Sequence, residues 1–125
     1  MSTGPDRTEV PTPEELSLFA EVYRNFNARR IDAVLERMSP NVDWPNGMEG
    51  GRVQGHEGVR AYWTRQFSMI SPHVEPLDFT RDDVGRFAIK VHQVVRDLEG
   101  NLLIDVIVRH IYTLRDGIIL RMDIE

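Results

Sequence analysis

The chain has 125 residues, a formal net charge of -5 and no cysteine. That length suits one domain with a single core, and without thiols there are no disulfides, thiolate metal sites or cysteine nucleophiles. The 15 Lys and Arg residues are scattered rather than gathered in a basic stripe, which argues against nucleic acid as a partner.

No run approaches the roughly 20 apolar residues of a membrane helix. Residues 1–11 carry no apolar signal-peptide core, so a cytoplasmic protein is expected. They mix Pro, Gly, Ser, Thr and charge, which predicts a flexible tail and leaves 12–125 as a single domain. Order begins at "TPEE". Thr12 is the expected N-cap, Pro13 suits the first helical position, and Glu15 closes a capping box. Leu16, Phe19, Val22, Tyr23 and Phe26 follow at helical spacing, with Glu21, Arg24 and Asn25 on the opposite side. A shorter helix is expected over 32–38, burying Val34, Leu35 and Met38 and closed by Pro40.

The next stretch, "NVDWPNGMEGGRVQGHEGVRAYW", holds Gly47, Gly50, Gly51, Gly55 and Gly58. Their spacing fits neither a P-loop, which needs Gly-Lys-Ser/Thr, nor G-x-G-x-x-G, so phosphate binding is not read from them. A third helix presents Val59, Trp63, Phe67 and Ile70 on one face, and Pro72 stops it. After Pro72 the period changes to two: Leu77 and Phe79 alternate with Asp78 and Thr80. Strands are expected over 87–96, 102–114 and 118–124. Helices first and a meandering antiparallel sheet second is an α+β pattern.

Register decides which strand residues face inward. A three-residue loop Arg115-Asp116-Gly117 pairs Leu114 with Ile118, Tyr112 with Leu120, His110 with Met122 and Val108 with Ile124. The inner face then carries Leu102, Ile104, Val106, Val108, His110, Tyr112 and Leu114, while Asp105, Arg109, Arg121 and Asp123 point away. In the preceding hairpin a loop Leu98-Glu99-Gly100 turns His92 and Val94 inward, and a two-residue Glu99-Gly100 turn does the same for Val91, Gln93 and Val95. Analogy with the second hairpin favours His92; the more apolar odd positions favour Gln93.

His110 is thereby a polar group on an apolar wall. It is either a satisfied core histidine or a pocket imidazole kept neutral by burial. Trp44 and Asn46 share a parity that Asp43 does not, so no carboxylate is expected to face inward. The four histidines lack metal-ligand spacing, so neither metal nor cofactor is expected. On the outer face Ile107, Ile111 and Ile119 lie among charges, which predicts a homodimer through that face.

Three segments, "NARRIDAVLERMSPNVDW", "GRVQGHEGVRAYW" and "HIYTLRDGIILRMDI", together resemble the cone fold of the nuclear transport factor 2-like superfamily. Ketosteroid isomerase, scytalone dehydratase and the SnoaL-type polyketide cyclases share that fold. The resemblance implies three N-terminal helices on a curved, mostly antiparallel sheet with an internal pocket, and sheet-to-sheet dimers. It implies that Gly55 supplies the turn into the third helix and that Gly58 lets that helix pack closely. His110 is similar in position to the family's pocket donor. The isomerase's base falls near Asn46, which cannot ionise, and its tyrosine donor falls near Val22, beside Tyr23. Asp105, Arg109 and Asp123 would resemble the limonene epoxide hydrolase triad, but the register puts them outside.

Two readings follow. In one, the chain is a small enzyme acting on a compact, largely apolar carbonyl- or hydroxyl-bearing ligand by proton transfer (isomerisation, cyclisation or dehydration). His110 is its acid or base, His92 or Gln93 the partner, and Tyr23, Trp44, Asn46, Trp63, Phe67, Tyr112 and Met122 the walls. In the other, the same cone is a non-catalytic ligand-binding or dimerisation module.

Overall fold

The structure, a computed structural model, describes residues 11–82 and 84–125. The tail expected over 1–11 lies, apart from Pro11, outside the described residues. In chain order the elements are α1 (Pro13–Asn27), α2 (Ile31–Leu35), β1 (Met38–Pro45), β2 (Arg52–Gln54) and α3 (Gly55–Met69). The strands β3 (Ile70–Arg81), β4 (Phe87–Asp97), β5 (Leu102–Arg115) and β6 (Ile118–Ile124) complete the fold. The six strands form one curved sheet in the order β2-β1-β6-β5-β4-β3, with three helices packed on it. Pairing is antiparallel throughout except between β1 and β6.

The capping box forms as read: the Glu15 N–H donates to Thr12 Oγ1 at 3.1 Å, and the Thr12 N–H to Glu15 Oε1 at 2.8 Å. The apolar stripe of α1 delivers Phe19, Val22 and Tyr23 to a core shared with Val34, Leu35, Val42, Val59, Trp63 and Tyr112. The second helix is shorter than expected, because Met38 already belongs to β1. Pro40 does not close a helix; it sits inside that strand. It is tolerated there because β2 pairs only with Asp43, Trp44 and Pro45, so one side of the strand is free at Pro40. Helix α3 ends at Met69, ahead of Pro72, since a residue before proline is pushed toward extended backbone. Strand β3 then carries Pro72 and Pro76 at the edge of the sheet, where a missing N–H breaks no ladder.

Both hairpins correct the expected registers, and both do so through a bulge. In β5–β6, Arg115 faces Ile118, so the turn is the two-residue Asp116-Gly117. Both turn residues have positive φ, 54° and 78°, as a type I′ turn requires. Leu114 then faces Ile119 but Thr113 faces Arg121, leaving Leu120 as the extra residue. Beyond this bulge Tyr112 faces Met122 and His110 faces Ile124, not Leu120 and Met122. The bulge restores the parity that the shorter turn had removed, so His110, Tyr112 and Met122 still share the concave side. Ile119, on the turn side of the bulge, points into the core instead of outward.

In β4–β5 the three-residue loop Leu98-Glu99-Gly100 does form, closed by the Asp97 N–H on Asn101 O at 2.9 Å. Arg96 faces Leu102, but Val95 faces Ile104, so Leu103 is extra. This bulge inverts the parity that the loop alone would give. Val91, Gln93 and Val95 face inward, and His92 faces out.

Gly55 has a φ of 76°, and a Cβ there would lie 3.2 Å from the Pro40 carbonyl oxygen. The turn into α3 therefore needs glycine on two counts. Gly58 does not: its Cβ would meet Val53 at an ordinary 3.6 Å.

Candidate functional site

The curved sheet, α1, α3 and the end of β1 enclose a cavity of about 370 Å³. Its polar lining comes from Tyr23, Tyr62, Gln66, Gln93, His110 and Tyr112, and no carboxylate or cationic side chain lines it among the described residues.

At its base three side chains from two elements form a hydrogen-bonded chain. The Tyr112 hydroxyl donates to the Tyr23 oxygen at 3.0 Å, and the Tyr23 hydroxyl lies 2.8 Å from His110 Nδ1. His110 is 7% exposed and Tyr112 1%. The chain has one sensible polarity. With Tyr112 donating to Tyr23, the Tyr23 proton goes to Nδ1, and both hydroxyl protons find acceptors. Reversed, the Tyr112 proton would have no acceptor among the described residues, a costly outcome in a buried site. His110 is thus the neutral tautomer with its proton on Nε2, which has no partner among the described residues. Burial lowers its pKa to about 4 and pushes both tyrosine hydroxyls up. None of the three ionises near neutral pH.

The apolar wall is aromatic. Trp44 meets Trp63 edge-on at 5.5 Å and Tyr112 at 6.2 Å, and Trp63 meets Phe26 at 5.2 Å. Such contacts add rigidity beyond the area they bury.

Of the residues expected to line a pocket, Tyr23, Trp44, Trp63, Gln93, His110, Tyr112 and Met122 all border this cavity. Three others do not. His92 sits on the opposite face with Nε2 2.7 Å from Asp105, because the Leu103 bulge turned it outward. Asn46 organises the loop after β1: its Oδ1 accepts the Met48 and Glu49 N–H groups at 3.1 and 2.9 Å. Phe67 packs on Phe26 at 5.3 Å, under the Arg29 guanidinium. Asp43 pairs with Arg121 at 2.9 Å, away from the cavity.

Two polar lining residues escaped the sequence reading, Tyr62 and Gln66. They stand three and seven positions after Val59, on the flank of the stripe that Trp63 and Phe67 had marked. That i, i+3, i+7 spacing was the available signal. The Tyr62 oxygen accepts the Gly47 N–H at 3.0 Å and the Gln66 amide N–H at 3.3 Å, tying the loop after β1 to α3.

A cone of helices and curved sheet around an aromatic cavity defines a class of small α+β domains with one internal site. A family model described as "SnoaL-like domain" matches residues 19–122, and the chain belongs to that family, within the nuclear transport factor 2-like superfamily. No curated protein matches it. Among solved structures it is similar to TerC, co-crystallised with polyporic acid, with 26% identity, TM-score 0.77 and 91% of each chain covered. It is also similar to a putative polyketide cyclase from Sinorhizobium meliloti, with 21% identity, TM-score 0.73 and 99% and 100% of the two chains covered. A third is a hypothetical protein from Catenulispora acidiphila with a ketosteroid isomerase-like fold, in complex with trimethylamine. There the identity is 14%, the TM-score 0.76 and the coverage 92% of this chain and 86% of that one.

Proposed function

We propose that the protein binds a small, largely apolar ligand bearing a carbonyl or hydroxyl oxygen, which accepts a hydrogen bond from His110 Nε2–H. The observation that carries this reading is the Tyr112–Tyr23–His110 chain at the base of the cavity. Its polarity makes the imidazole a donor, and the chain of hydroxyls behind it strengthens that donor. A preorganised donor in a water-poor site favours charge developing on a ligand oxygen. Cavity size and aromatic lining fit a flat ligand with few polar groups. That relatives of this fold hold small molecules supports the same reading.

The arrangement favours binding and polarisation over proton abstraction. With Nε2 protonated and no carboxylate in the lining among the described residues, the cavity offers a donor and no strong base. Isomerisation, cyclisation or dehydration would then depend on a ligand acidic enough to need only polarisation. The second proposal is a homodimer through the outer face of β4 and β5. Ile107 is 55% exposed there, in company with Leu103 and the His92–Asp105 pair, and charges of both signs rim it.

Titration calorimetry with 2-acetylnaphthalene tests the first proposal. Binding to the wild type, weakened about tenfold by His110→Phe, is the expected result, in line with the loss of about one hydrogen bond. Equal binding to both proteins would remove His110 from the site.

A further inference from the structure

The second polar corner of the cavity is left unbalanced. Tyr62 is buried, and its oxygen already accepts two N–H groups, from Gly47 and from Gln66. Its own proton finds no acceptor among the described residues. Gln66 Oε1 is shielded from solvent and has no donor among the described residues. Turning the amide over lets its oxygen take the Tyr62 proton at the same 3.3 Å separation. The NH₂ group is then the one without an acceptor. The Tyr62 proton and Gln66 Oε1 are unmatched in the first orientation and the NH₂ group in the second, and such groups are uncommon in folded interiors.

This corner and the His110 corner are chemically opposite. Tyr112, Tyr23 and His110 satisfy one another and leave a single outward donor, whereas Tyr62 and Gln66 together hold both a donor and an acceptor. The shielded Gln66 oxygen is reached by rotation of the amide toward the cavity that Gln66 lines. Between them lie Trp44 and Trp63, in contact with each other and both in the cavity wall. A hydroxyl is the group that answers both orientations of the amide, because it donates and accepts at one atom.

We infer that Tyr62 and Gln66 form a second polar subsite that binds a hydroxyl at the far end of the ligand. The substrate class narrows to flat, apolar molecules with an acceptor oxygen at one end and a hydroxyl at the other. This rests on the proposed ligand-binding role of the cavity and adds a specificity determinant to it. An apolar corner cannot select for a hydroxyl, whereas one built to hydrogen-bond it rejects analogues that lack it.

The test compares 2-acetylnaphthalene with its isomers carrying one hydroxyl on the distal ring, by calorimetry, against wild type, Gln66→Leu, Tyr62→Phe and Gln93→Leu. At least one hydroxylated isomer should bind the wild type about tenfold more tightly than the parent. That preference should vanish in Gln66→Leu and fall in Tyr62→Phe. Gln93→Leu should keep the preference. No isomer preferred by the wild type, a preference that survives Gln66→Leu, or one lost only in Gln93→Leu would each overturn the subsite.

Failure of the underlying reading has a different signature: the parent compound fails to bind, or binds regardless of His110→Phe, and the subsite falls with it.

Discussion

Strand β5 makes two different surfaces from one alternating pattern. From Leu102 to Ile107 it is exposed on both faces, with Leu103 at 53% and Ile107 at 55%. From His110 to Tyr112 it is buried on both faces, none of the three residues exceeding 7%. The apolar content of the two halves is similar, so hydrophobicity does not set the difference; neighbours do. Strand β6 pairs with β5 only from His110 onward in the strand register, and the aromatic residues of α1 cover that half alone, Phe19 lying 4.8 Å from Tyr112. Burial belongs to what lies across from a strand as much as to the strand.

The largest test of this contrast is Met122→Arg. Met122 faces Tyr112 across the strands, is buried and lines the cavity, where no carboxylate stands among the described residues. An unpaired guanidinium there costs several kcal/mol, a large share of a small domain's stability. The expected outcome is a melting temperature lowered by more than about 10 °C, and a variant that melts like wild type would show that Met122 does not face the cavity. Deleting Leu120, by contrast, makes the pairs Leu114–Ile119 and Thr113–Arg121 consecutive and should keep Met122 opposite Tyr112.

Next in size is the buried hydrogen-bonded chain. Tyr23→Phe strands two groups at once, His110 Nδ1 and the Tyr112 hydroxyl, at about 1–3 kcal/mol each. Tyr112→Phe removes only the end of the chain and should cost about 1 kcal/mol. At about 4 °C per kcal/mol, the two melting temperatures should separate clearly, with Tyr23→Phe lower. Equal melting temperatures would mean that the polarity assigned to the chain is wrong.

His110 also sets a pH dependence. Its pKa in the folded protein is lowered to about 4 from 6.5, so on acidification the unfolded chain takes up the proton first. The stabilisation is complete above about pH 6.5 and is lost between there and about pH 4, at up to about 1.4 kcal/mol per pH unit. Carboxylates with lowered pKa, such as Asp123 beside Arg121, also weaken the fold in acid. The difference between wild type and His110→Phe isolates the imidazole. Denaturant melts at stepped pH should show a shallower slope for the variant across that window, and parallel slopes would refute a buried neutral His110.

The sequence carried the helices and the general shape because those rest on local chemistry: the Thr12 box, the stripe of α1, the change of period after Pro72. It carried His110, Tyr112 and Met122 to one side because strand parity is local too. What it did not carry was set across strands. The Leu120 and Leu103 bulges have no signature in composition, yet one preserved the expected inner face and the other exchanged His92 for Gln93. Strand β1 hid behind Pro40, since a proline is readable as a strand residue only once its free side is known. Tyr62 and Gln66 were missed for a related reason: a helical stripe marks a buried face, but not which part of that face is core and which part is cavity.

The smallest expected change in stability lies at the exposed half of β5. Ile111 and Ile107 are both isoleucines on one strand, four residues apart, on the same side of its alternation. Ile111 is 2% exposed and Ile107 55%, so lysine at each position meets opposite environments. Ile111→Lys forces an ammonium into a closely packed position opposite Asp123, whose carboxylate is already paired with Arg52 and Arg121, and several kcal/mol of destabilisation should follow. Ile107→Lys puts a charge where water already reaches and should alter monomer stability by no more than about 0.5 kcal/mol. If two copies associate through this face, however, Ile107→Lys places two like charges near the centre of the contact, where few residues carry most of the binding energy. Light scattering at tens of micromolar should then give a dimer mass for wild type and a monomer mass for Ile107→Lys, with the two circular dichroism spectra unchanged. A wild type that is already monomeric at that concentration would remove the second copy, and a variant that stays dimeric would move the interface to another face.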